Sequence, residues 1–170
     1  QAPGFVQPYT DNPLDCEAVG QAVYLNLINK ARRYVYITTP YLIVDDSTNT
    51  ALCIAAKSGV DVRIMTPHIP DKRVVFELTR SHYQPLLEAG VKIYEYTPGF
   101  VHAKNFAVDD KYGTVGSINL DYRSLYLHFE CGAFLFDLPV IEEIEKDFEN
   151  TLAECQEAVS YTHLRAHETR

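Results

Sequence analysis

The sequence predicts an α/β domain, a mixed β-sheet flanked by α-helices on both faces. Short apolar runs rich in Val, Ile and Tyr alternate with longer stretches of helical period, the sign of a layered architecture rather than a bundle or a sandwich. The last of these runs, 101–108, 112–116 and 129–136, follow one another without a long helix between them, so part of the sheet is expected to be antiparallel. A length of 170 residues suits one compact domain, large enough to bury roughly 70% of its unfolded surface.

A short strand near Phe5–Tyr9 opens the order of elements. A helix follows from about Asp15 to Arg33, with Asp15 as N-cap and Ala18, Ala22, Leu25 and Ile28 as its buried stripe. Tyr34–Thr39 reads as a buried strand stopped by Pro40. Ser47 or Thr48 is placed to cap a second helix running to Lys57, and Gly59 stands just past its end, where a left-handed residue closes helices. Val60–Met65 is the next strand. Asp71 then starts a helix carrying Val74, Val75, Leu78, Leu86 and Leu87 as far as Gly90, which Pro85 is expected to kink or split. Val91–Tyr96 is again a strand. After the three late strands, Leu138–Val159 closes the domain as an amphipathic helix with Val140, Ile144, Phe148 and Leu152 at helical spacing. Residues 160–170, SYTHLRAHETR, break that periodicity and read as a non-native or disordered tail, leaving 1–159 as the domain. His163 and His167 in that tail are an isolated pair and weak as a metal signal.

Composition narrows the function classes. No apolar run approaches the roughly 18–20 residues of a membrane span. No charged-then-apolar leader is visible, so the chain is expected to be a piece of a longer protein. Cys16, Cys53, Cys131 and Cys155 form no C-x-x-C pair, which argues for reduced thiols rather than zinc ligation or a disulfide framework. The net charge of −8 is concentrated in Glu142, Glu143, Glu145, Asp147, Glu149, Glu154 and Glu157. This run reads as the solvated face of a helix, and the overall balance does not favour nucleic acid as a partner.

The chemistry is concentrated in FVHAKNFAVDDKYGTVGSIN, where His102, Lys104, Asp109, Gly116, Ser117 and Asn119 spell H-x-K-x4-D-x6-G-S-x-N. At roughly 5% usage per residue type, six identities at fixed offsets are too many for coincidence. With side chains alternating along a strand, His102 and Lys104 are expected on one face and Asp109 on the other. His102 can serve as nucleophile or as general acid/base near neutral pH, and Lys104 supplies positive charge to phosphate oxygens. Gly116 would permit a tight exit from the next strand. The Ser117 hydroxyl and the Asn119 amide can donate to phosphorane oxygens, whereas Asp109 reads as a backbone or hydrogen-bond anchor. A working histidine needs its second ring nitrogen held, and Glu130, in the otherwise apolar LHFECGAF, is the candidate. His68, His82 and His128 lie outside any motif and read as structural. Tyr41 stands where α/β clefts open, and Arg123 could reach a phosphate or pair with an acidic neighbour.

The spaced residues resemble the HKD signature of the phospholipase D superfamily. Beyond it, Phe5–Val159 resembles the carboxyl-terminal half of bacterial cardiolipin synthases through TPYLIVD, GVDVRIMTP, LLEAGVKIYEYTPGFVHAK and GSINLDYRSLYLHFE. The resemblance implies a phospholipase D-like half at the cytoplasmic side of a bacterial cell membrane. Its substrate would be anionic phospholipid: one phosphatidylglycerol passes its phosphatidyl group to another, giving cardiolipin without metal or cofactor. Two histidines share that work, one through a phosphohistidine intermediate and the other as general acid/base, the role His102 takes by analogy. The resemblance also assigns a carboxylate after the motif, here Glu130, to orient the histidine. His128 departs from the pattern by standing where many relatives have asparagine. The sequence contains one HKD motif, so the missing amino-terminal half is the expected partner. The alternatives are a single-motif phosphodiesterase or nuclease that pairs two copies, or a non-catalytic domain.

Overall fold

A computed structural model describes residues 4–159. The expectations for 160–170, His163 and His167 included, lie outside the described residues. The elements run β1 (Phe5–Asp11), α1 (Val19–Lys30), β2 (Tyr34–Thr38), β3 (Leu42–Ile43), α2 (Asp46–Lys57), β4 (Asp61–Pro67), α3 (Arg73–Ser81), α4 (Tyr83–Glu88) and β5 (Lys92–Tyr96). They continue with β6 (Asn105–Val108), β7 (Tyr112–Gly116), β8 (Leu120–Asp121), α5 (Tyr122–Leu127), β9 (Glu130–Phe136), α6 (Pro139–Leu152) and β10 (Cys155–Glu157).

Eight strands form one sheet in the order β1-β9-β7-β6-β2-β4-β5-β10, and β3 pairs with β8 separately. β2, β4 and β5 are mutually parallel, as their helical crossovers require, while β6 pairs antiparallel with β2 and every later pairing in this sheet is antiparallel. The expected mixed sheet is therefore present. Its two faces are read from strand alternation: Val35, Ile37, Val62, Ile64, Phe106 and Val108 pack with α1, α2 and α4, whereas Tyr34, Tyr36, Met65 and Ala107 pack with Ile141 and Phe148 of α6. The acidic run of α6 faces outward, Glu142, Glu143, Asp147 and Glu149 being exposed.

Several boundaries differ from the sequence reading, for identifiable reasons. The first helix begins at Val19, not Asp15, because its cap is remote. Asp11, at the end of β1, accepts from the Val19 N–H at 3.3 Å and the Gly20 N–H at 2.7 Å, while Asp15 merely closes a local turn with the Glu17 N–H. Asp45 rather than Ser47 or Thr48 caps α2, accepting from the Thr48 N–H at 2.8 Å. Gly59 and Gly90 take φ of +93° and +97° just past α2 and α4, as expected of helix-closing glycines. The helix expected from Asp71 starts at Arg73 and is split at His82, which places Pro85 in the first turn of α4, where its missing N–H costs nothing. The last helix stops at Leu152, and β10 then seals the β5 edge.

Candidate active site

The strand predicted over 101–108 begins only at Asn105, so His102 and Lys104 sit in the loop before β6 and strand parity does not govern them. They are nonetheless together. The Lys104 ammonium lies 3.0 Å from His102 Nδ1 and donates to the His102 carbonyl oxygen at 2.6 Å. With that ammonium donating to Nδ1, the ring proton is left on Nε2, the nitrogen free to meet a substrate. Partial burial lowers the Lys104 ammonium below the ordinary lysine value, and the Glu130 and Asp121 carboxylates oppose the shift.

Topology brings the rest of the motif to the same place. Antiparallel pairing of β6 with β2 sets Asn105 opposite Thr38, so the loop holding His102 lies at the carboxyl ends of β2, β4 and β5. β7 runs toward that end and delivers Gly116, Ser117 and Asn119 to it, and β9 starts there at Glu130. Gly116 is needed for close approach between strands rather than for a turn: a Cβ there would lie 2.4 Å from the Cys131 carbonyl oxygen and 2.7 Å from Gly132 Cα.

Glu130 opens β9 and, among the described residues, makes no hydrogen bond to the His102 ring. Its carboxylate accepts instead from the Ser117 and Ser124 hydroxyls, the latter at 3.0 Å, with His128 Nδ1 3.6 Å away. Asn119 donates to the same Ser124 hydroxyl at 3.0 Å, and its own side-chain carbonyl is buried and finds no hydrogen-bond partner among the described residues. Ser117, Asn119, Ser124 and Glu130 thus form one polar chain whose negative end acts on the site through the charge of Lys104. Sequence reading missed Ser124; the signal was the spacing Asp121-x-x-Ser124, a helix start in which Asp121 accepts from the Ser124 N–H at 2.9 Å.

Asp109 lies at the opposite end of β6 from His102. Its carboxylate accepts from the backbone N–H groups of Arg32, Arg33 and Tyr34 at 2.7, 2.9 and 2.9 Å, fixing the entry to β2. Asp109 and Asp110 have φ of +54° and +58°, left-handed values that aspartate tolerates in a tight turn. Beside the site, the Phe100 ring lies tilted against those of His102 and Tyr41, with centroids 5.7 and 6.3 Å away, and the Tyr41 hydroxyl donates to Asp71. Arg123 is exposed on α5 and has no ion pair among the described residues. The geometry offers a protonated imidazole nitrogen, an adjacent ammonium and a hydroxyl–amide–carboxylate chain, the components of a site for a phosphodiester.

Comparisons with known proteins agree on the family. A family model described as "Cardiolipin synthase, PLD-like domain" matches residues 24–152. An uncharacterized protein of Streptococcus mutans is 53% identical over 161 residues, covering 95% of this chain and 35% of its own length. A cardiolipin synthase of Halalkalibacterium halodurans is 43% identical over 145 residues, covering 85% of this chain and 29% of its own. The chain thus spans about a third of the length of the curated relatives it matches. The crystal structure of the phospholipase D family member Nuc from Salmonella typhimurium superposes with a TM-score of 0.78 at 17% identity, covering 92% of this chain and 99% of that one. With His102, Lys104, Ser117 and Asn119 gathered at one end of the sheet and the family model matching most of its length, the chain belongs to the cardiolipin synthase PLD-like domain family.

Proposed function

We propose that the chain is the carboxyl-terminal catalytic half of a bacterial cardiolipin synthase, acting at the cytoplasmic side of the cell membrane on phosphatidylglycerol. The supporting observation is the convergence of His102, Lys104, Ser117, Asn119 and Glu130 at one end of the sheet in a chain of this family. In the first step a histidine of the partner half attacks phosphorus. The P–O bond to glycerol breaks as the P–N bond of a phosphohistidine forms; with Lys104 turned from Nδ1 to a phosphate oxygen, His102 in its imidazolium form gives its Nε2 proton to the leaving glycerol oxygen and becomes neutral. In the second step the hydroxyl of another phosphatidylglycerol attacks phosphorus, the P–N bond breaks and its proton returns to His102. Lys104 holds a phosphate oxygen, Ser117 and Asn119 position the site around it, Glu130 balances the charge of Lys104, and Asp109 anchors the motif to the sheet. The reaction calls for no cofactor.

One motif supplies one histidine, so the test is complementation. Mixed with a separately produced amino-terminal half, the chain is expected to convert phosphatidylglycerol to cardiolipin, and His102→Ala to lower turnover by about three orders of magnitude. Retained synthesis by His102→Ala would reject the assignment. A second reading, a phosphodiesterase built from two copies, is favoured by the superposition on 99% of the Nuc chain. It requires a homodimer that turns over without a second half, and a strictly monomeric active chain excludes it.

A further inference from the structure

We propose that α3 and the loop before it form a bilayer-contacting surface that brings anionic lipid to the His102 edge. The inference rests on the phosphatidyl-transfer reading for its substrate but not for its geometry. At 100° per residue, Val74, Leu78, Val75, Thr79 and Phe76 form one apolar arc spanning about 200° of α3. The domain covers only part of it. Thr79 is buried and Val75 and Phe76 are half-buried, whereas Val74 is 82% exposed and Leu78 46%, with Ile69 in the preceding loop 48% exposed. Adjoining aliphatic side chains left uncovered on one helix flank differ from the scattered exposed residues of an ordinary surface.

Charge identifies the occupant. The whole chain carries −8, yet residues 71–81 hold three cations, Lys72, Arg73 and Arg80, against two carboxylates, Asp71 and Glu77. Asp71 is hydrogen-bonded to Tyr41, and Arg80 is paired with Glu95. Lys72 and Arg73 are exposed and have no ion pair among the described residues. An amphipathic helix with uncovered aliphatic side chains and unpaired cations beside them suits an anionic lipid surface, into which the aliphatics insert while the cations stay among headgroups. Its position suits the substrate as well. α3 follows the carboxyl end of β4, at the same end of the sheet as His102, and Tyr41 and Phe100 continue a row of rings from Asp71 to the His102 ring.

The test measures binding, not turnover. The 170-residue chain is sedimented with phosphatidylcholine vesicles made with and without phosphatidylglycerol. Binding is expected with phosphatidylglycerol and to weaken with salt. Val74→Asp combined with Leu78→Asp should lower it by about tenfold, and Lys72→Gln and Arg73→Gln by about fivefold each. Ile54→Asp, an exposed aliphatic of α2, should leave it unchanged, and circular dichroism checks that each variant is folded. Absence of binding, or binding indifferent to the α3 substitutions, overturns the proposal. So does an α3 variant that binds vesicles normally but no longer associates with the amino-terminal half, since the face would then cover protein. Vesicle binding through α3 without transfer in the complemented enzyme rejects only the transfer reading.

Discussion

Asp109 separates the third letter of the motif from the first two, and the separation can be measured. Its carboxylate accepts three backbone N–H groups, two on Oδ1 from Arg33 and Tyr34 and one on Oδ2 from Arg32. A hydrogen bond to a charged acceptor contributes about 1 kcal/mol net where water can reach the freed donor. Asp109→Ala should therefore cost about 3 kcal/mol, plus about 1 kcal/mol because alanine is poorly suited to a φ of +54°. For a domain of this size that lowers Tm by roughly 8–16 °C. Asp109→Asn keeps the left-handed tolerance and Oδ1 but turns an amide toward the Arg32 N–H, so about 1 kcal/mol is expected. Thermal and urea unfolding of the chain measure both values without a partner half. In the complemented enzyme, Asp109→Asn below its Tm should retain near-normal turnover, where His102→Ala does not. An Asp109→Ala variant that melts within about 1 °C of wild type, or a folded Asp109→Asn variant as inactive as His102→Ala, would refute the anchoring argument.

Three further outcomes follow from contacts described above or adjoining them. Gly116→Ala should destabilise by about 2 kcal/mol, since β7 and β9 must separate to admit the methyl group, whereas Gly99→Ala, with nothing within 4 Å, should be tolerated; equal melting of the two variants removes the close-approach argument. Glu95 is 1% exposed and is held by Arg80 at 3.1 Å, His68 at 2.9 Å and Gln156 at 3.1 Å. Arg80→Ala should cost about 3 kcal/mol by leaving that carboxylate under-compensated, and Glu95→Leu less than about 1.5 kcal/mol, so the reverse order in urea unfolding is the refuting result. Partial burial pushes the Asp61 carboxyl up, but hydrogen bonds from Arg63 and Lys92 more than offset it and hold it below 3.8. A folded pKa below the unfolded one gives stability that is full above pH 3.8 and lost as pH falls through the depressed value. Asp61→Asn should therefore flatten the fall in urea midpoint on acidification, and an unchanged slope contradicts this.

The layered plan and the motif were legible because both are local. Apolar period marks strands and helices, and six identities lie within one hairpin and its flanks. What escaped was set by distant groups. The start of α1 depends on Asp11 across a loop, β10 is defined only by its pairing with β5, and the two-residue strands β3 and β8 exist only in each other's company. The grouping of His102 with Lys104 and the separation of Asp109 were anticipated, but from a strand parity that does not apply. The actual causes are a direct contact between the first two and a turn that carries Asp109 to the far end of β6. The contacts of Glu130 escaped as well, because its two serine partners, Ser117 and Ser124, are brought to it only by the folding of β7, α5 and β9.

The remote cap on α1 also bears on the order in which the chain acquires its structure. Asp11 can reach the Val19 and Gly20 amides only once β1 is docked, and β1 pairs with β9, more than a hundred residues later in the chain. The first turn of α1 should then remain frayed until nearly all of the domain has been synthesised and the edge strand has closed. In native-state hydrogen exchange, those two amides would report the opening of β1 rather than the melting of the helix that contains them.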